Sequence, residues 1–156
     1  MVRALLLTLF GFVALTSMAG GTVLAASAWL GSDRLGIPPE LAVPSDLLQG
    51  SPFTSYLIPG LLLALIVGGL HLAAFILLLK RRRMAPPAGA AAAYSILVWI
   101  FIQMVFIPFS VLQAVYFVAG LAEVGLLLLL LGLFAPAAGR MQVDTATPRT
   151  SRDVRP

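Results

Sequence analysis

Three polar side chains, His71, Gln103 and Glu123, interrupt runs that are otherwise apolar. A carboxyl and an imidazole held away from water are the usual parts of proton relays and cation sites, since each carries or releases a proton. The same groups serve as hydrogen bonds joining two helices, with the Gln103 amide as a third partner. Both uses require the three to lie at one depth. At 1.5 Å of rise per helical residue, His71 falls about 13 Å before Lys80 and Glu123 about 18 Å before Ala135. Gln103 falls about 20 Å after the start of its own run near Ala88. The three therefore come within about one or two helical turns of a common level. Charge is costly there, so Glu123 is expected to be protonated or paired.

Other chemistry finds no support. One histidine and no cysteine rule out a zinc site with two imidazoles in one copy, thiol catalysis and disulfides. There is no glycine-rich phosphate loop after a strand, no nucleophile elbow and no HExxH pair. No cofactor is expected, and the chain reads as a non-enzyme. A membrane enzyme acting on a lipid or quinone would gather more polar groups near an interface than this sequence offers.

The elements that position these residues are four long apolar runs: 4–30, 52–79, 88–107 and 111–135. The chain is 60% hydrophobic and 10% charged, against about 25% charged in an ordinary soluble domain. Each run reaches the roughly 20 residues that cross a bilayer. The first, preceded by Arg3 and holding Ala26-Ser27-Ala28 near its end, is patterned in the manner of a signal peptide, but its apolar stretch exceeds the about 7–15 residues of a signal core. It is expected to be retained; cleavage would leave three helices in the same orientation.

A cytoplasmic N-terminus places Arg3, Lys80, Arg81, Arg82, Arg83, Arg140, Arg149, Arg152 and Arg155 inside, and Arg34 alone outside. That is the positive-inside bias of a multi-pass plasma-membrane protein with both termini in the cytoplasm. Because the basic residues cluster between apolar runs, nucleic acid is not the expected partner. Membrane lipids, a larger membrane complex or further copies of the chain are.

Local signals fill in the connections. The external loop 31–51 holds Pro38, Pro39 and Pro44 among apolar and acidic residues, with a helical turn expected between Ser45 and Gly50. Ser51-Pro52 reads as the start of the second helix, and Pro59 as a kink two turns later. Pro86-Pro87 fall in the short basic loop before the third helix. Pro108 ends that helix, and Ser110 with Gln113 forms a capping box for the fourth, with Phe109 and Ala114 as its staple. Residues 136–156, rich in Thr, Arg, Asp and Pro, read as a disordered cytoplasmic tail.

Helical spacing also sorts small residues into strips through which membrane helices pack. Ser17, Gly21 and Ala25 share one face of the first helix, and Gly60, Ala64, Gly68 and His71 one face of the second. Trp99 and Gln103 share a face of the third. Tyr116, Ala119, Gly120 and Glu123 share one of the fourth. The expected fold is an all-α four-helix bundle with the polar residues inside.

The stretch Gly50-Ser51-Pro52-Phe53-Thr54-Ser55-Tyr56-Leu57-Ile58-Pro59-Gly60, with Gly68-Gly69-Leu70-His71, the Lys80 to Arg83 stop and the segments 99–103 and 113–123, resembles a group of small bacterial four-helix membrane proteins. These are common in actinobacteria and carry no assigned activity. The resemblance implies a membrane location and four helices, and transfers no catalytic residue. In outline the chain is also similar to small multidrug transporters, which pair four helices with one membrane carboxylate. Their essential glutamate is in the first helix, whereas Glu123 lies in the fourth. The function expected is that of a non-enzymatic accessory or assembly component. The alternative is a proton-coupled transporter or proton-handling subunit built on Glu123.

Overall fold

The computed structural model describes residues 1–38, 44, 48 and 52–133. The tail and most of the external loop, including the turn expected between Ser45 and Gly50, lie outside the described residues. Four helices carry the fold: α1 (Val2–Leu30), α2 (Leu57–Leu79), α3 (Ala85–Phe106) and α4 (Val111–Leu130). Each is long and apolar enough to cross a membrane, and no strand occurs among the described residues.

The ends follow local chemistry. α1 stops at Gly31, whose φ of 88° takes the chain out of the helix, and a 3₁₀ turn over Asp33–Leu35 follows. Inside α1, the hydroxyls of Thr8, Thr16 and Ser27 donate to carbonyls one turn back. These three hydroxyls are thereby satisfied on an apolar helix. α4 begins with the expected capping box: Gln113 N–H donates to Ser110 Oγ, and Ser110 N–H to Gln113 Oε1. Phe109, read as its staple, is largely exposed.

Three boundaries differ from the sequence reading. α2 begins at Leu57, with Pro52–Tyr56 irregular before it, so Pro59 falls in the first turn. There its missing N–H has no helical partner to lose, and Pro59 needs no kink. The irregularity comes just after it, as a π-helical segment over Leu63–Gly68. α3 begins at Ala85 and takes Pro86 and Pro87 into its first turn, for the same reason that Pro59 is tolerated. α4 ends at Leu130, and the turn after it contains Gly132 at φ 70°.

The helices form a ring in which each packs against its two neighbours: α1 on α2 and α4, α3 on α2 and α4. α2 and α4 stand diagonally. The short connections 80–84 and 107–110 make consecutive helices antiparallel, so Arg3 and Lys80 to Arg83 share one end, the basic end.

Close approach of α1 and α2 follows from small residues. A Cβ on Gly60 would stand 2.6 Å from the nitrogen of Ala25, and one on Gly68 2.5 Å from Cγ of Met18. Real side chains do not tolerate such distances. On α4, a Cβ on Gly120 would meet Ile96 and Leu97 of α3 at 2.9 Å. Ser17 and Ala64 are buried in the same interior.

Two apolar layers fill the bundle. Toward the basic end lie Leu6, Phe10, Ala74, Leu78, Ala92 and Leu127. Toward the other end lie Val13, Val67, Ile96 and Ile100. Only 28–33% of each helix's apolar window is buried, leaving Leu15, Leu65, Phe101, Val105 and Val118 among many large apolar side chains exposed.

Candidate functional site

Between the two apolar layers, His71 of α2 and Glu123 of α4 meet across the diagonal of the bundle, Nε2 to Oε2 at 3.2 Å. Neither side chain has any exposed surface. Position along the helices accounts for the meeting. His71 is about 12 Å from the Leu79 end of α2, and Glu123 about 10 Å from the Leu130 end of α4, so both lie at one level. Ala74 and Val67 flank His71 one turn away on either side, and Gly120 and Leu127 flank Glu123. Gly120 lets α3 and α4 close together beside the pair.

Phe10 of α1 sets the imidazole's orientation. Its ring meets that of His71 edge to face, centroids 6.0 Å apart and planes 72° apart, the arrangement aromatic quadrupoles favour. A second constraint comes from the backbone: Nδ1 lies 2.7 Å from the carbonyl of Val67. A carbonyl only accepts, so Nδ1 carries a hydrogen and donates it.

That assignment fixes the proton inventory of the pair. With Nδ1 protonated, the bridge between Nε2 and Oε2 has room for one hydrogen. It sits either on the carboxyl, donating to a neutral imidazole, or on Nε2, donating to a carboxylate. The pair is neutral overall in both arrangements. Without the shared proton, lone pairs face one another; with a second, two donors do. The remaining carboxyl oxygen, Oε1, is buried and has no hydrogen-bond partner.

Gln103 is not part of this site. α3 begins at Ala85, so Gln103 lies about 27 Å from its start and only three residues before Phe106. It lines a separate cavity of about 530 Å³ toward the end away from the arginines, with Thr16, Ser17, Trp99, Gln113 and Tyr116. Ser17 and Gln113 are themselves buried, and Tyr116 stacks on Phe12 of α1. Ile96 and Ile100 form part of both this cavity's wall and the apolar layer that separates it from Glu123.

Sequence reasoning missed the polar wall of this cavity and the Phe10 contact. Gln113 had been accounted for by its cap, and a phenylalanine in an apolar run gives no sign of facing an imidazole. Among the described residues no group of three His, Cys, Asp or Glu is placed to hold a metal.

No protein-family model matches the chain, and no curated protein or solved structure matches it either.

Proposed function

We propose that the chain is a four-span integral membrane protein, cytoplasmic at both ends, that acts without catalysis as an accessory or assembly component. The His71–Glu123 pair is its internal lock. The observation that carries this reading is the sealing of the pair: both side chains are fully buried, with an apolar layer on each side. The exposed apolar faces support the membrane placement, because water does not tolerate apolar surface on that scale. Those faces are where lipid, further copies of the chain or a larger complex would contact it.

A proton-handling role is the second reading, and the unpartnered Glu123 Oε1 favours it. A carboxyl with one free oxygen can exchange its proton when a path opens.

The two readings divide on Glu123→Gln. The amide keeps the shape and donates to Nε2, but cannot titrate. In liposomes with a trapped pH indicator, an accessory protein gives the proton leak of protein-free vesicles, with or without the substitution. A flux present in the wild type and abolished by Glu123→Gln, with the fold retained, would replace the lock with a proton carrier.

A further inference from the structure

We propose that the basic end of the bundle binds a phosphate-bearing anion between Arg3, Arg81 and Arg82, of the kind an anionic phospholipid headgroup supplies. These three arginines line one cavity of about 380 Å³, together with Leu78, Ala85 and Leu130. It therefore draws on all four helices or the turns that end them.

Arg3 is fixed in place. Its Nη2 donates to the carbonyls of Leu78 and Leu79 at 2.9 and 3.1 Å, capping the end of α2. Its Nε is buried and has no hydrogen-bond partner.

Arg81 is held at a conformational cost. α2 ends in a Schellman turn: Arg81 N–H donates to Leu78 O and Arg82 N–H to Leu77 O. This turn requires a residue in the left-handed region, normally glycine. Arg81 occupies it at φ 53°, the one described non-glycine residue with positive φ. α4 ends at the same side of the bundle in the same turn, with Gly132 donating to Leu129 and Leu133 to Leu128. There the left-handed position is glycine, at φ 70°. One chain thus shows both solutions, and the arginine is the one that lines the cavity. Strain of this kind gathers at binding sites.

No described acid stands at the basic end to offset these arginines. Lys80 and Arg83 adjoin the three arginines in sequence. Among the described residues the acids are Asp33, beyond the far end of α1, and Glu123, inside the bundle. The sequence after residue 133 adds four arginines against two aspartates. Phosphate oxygens match guanidinium donors in geometry as well as charge. A phospholipid is the expected source because the cavity opens at the ends of bilayer-length helices; this part rests on the membrane reading above. Inorganic phosphate is the other source of the same chemistry.

The test uses the full chain in nanodiscs of phosphatidylcholine, with and without phosphatidylglycerol, read by bound lipid in native mass spectrometry and by thermal midpoint. A parallel arm in non-ionic detergent compares sodium phosphate with sodium chloride at equal ionic strength. Wild type should retain phosphatidylglycerol preferentially and melt higher with it. Arg81→Gly should weaken that preference about fivefold, one basic contact's worth, without lowering the midpoint in neutral detergent, since glycine relaxes the turn. Arg83→Gln, outside the cavity, should keep the preference. Equal losses from the two substitutions, or no preference in wild type for either phosphate source, would overturn the site. A response to sodium phosphate with none to phosphatidylglycerol would keep the site and overturn the lipid source. A chain that stays dissolved without detergent would sink the membrane reading, while the phosphate arm still decides the site.

Discussion

Gly21 of α1 and Gly60 of α2 face each other backbone to backbone: a Cβ on Gly21 would lie 2.5 Å from the carbonyl oxygen of Gly60, and one on Gly60 2.7 Å from that of Gly21. The contact is reciprocal, and neither side has a flexible atom that can yield. Helices that do not gain from expelling water are held by approach of this kind. Gly21→Leu or Gly60→Leu should destabilise the bundle by about 1–3 kcal/mol or more. Gly20→Leu should be close to neutral, because a Cβ there meets nothing within 4 Å. Thermal unfolding in detergent distinguishes them, and equal tolerance of Gly20→Leu and Gly21→Leu would mean that this face does not carry the α1–α2 contact.

The diagonal pair makes its own prediction. Glu123→Leu leaves the imidazole Nε2 buried with no partner, a loss of about 1–3 kcal/mol. His71→Leu leaves the carboxyl in the same position. Removing both together replaces a polar bridge by apolar packing, which is often neutral or favourable. The double variant should therefore be more stable than the sum of the single losses predicts, by a coupling of about 0.6–1.7 kcal/mol. Strict additivity in chemical unfolding would show that the two side chains do not interact.

Orientation is testable by fusion. Arginine and lysine gather at one end of the bundle, at Arg3 and Lys80 to Arg83, and the proposed orientation, which follows the positive-inside bias, has that end in the cytoplasm. A reporter joined after Pro156 should read cytoplasmic, and one inserted after Gln49 external. An external signal from the C-terminal fusion would overturn this orientation.

Length and apolarity made the four helices legible, since no other element satisfies that many apolar residues in succession. The Ser110–Gln113 cap was legible because both of its hydrogen bonds are local. Boundaries near proline were not. Ser51-Pro52 carries a start signal, yet α2 begins at Leu57, and Pro86-Pro87 were read as loop though they lie within α3. Proline is compatible with a helix's first turn and with the loop before it, so its presence does not choose. The earlier start of α3, three residues before the apolar run, accounts for only part of the distance between Gln103 and the level of His71. For His71 and Glu123, depth could be counted from sequence; the 3.2 Å bond, the Phe10 edge and the buried Nε of Arg3 depend on tertiary placement that no spacing encodes.

The wide turn at Leu63–Gly68 sets the phase of α2. Small residues repeating every four positions drift around a helix of about 3.6 residues per turn, and the looser π winding cancels that drift. Gly60, Ala64 and Gly68 can then all address α1. Regular winding resumes at Gly69, and His71, two residues on, meets both Phe10 of α1 and Glu123 of α4. One stretch of slack winding lets a single helix serve two partners in different directions, so the chain's tolerance for one-residue insertions and deletions should be lowest between Leu63 and His71.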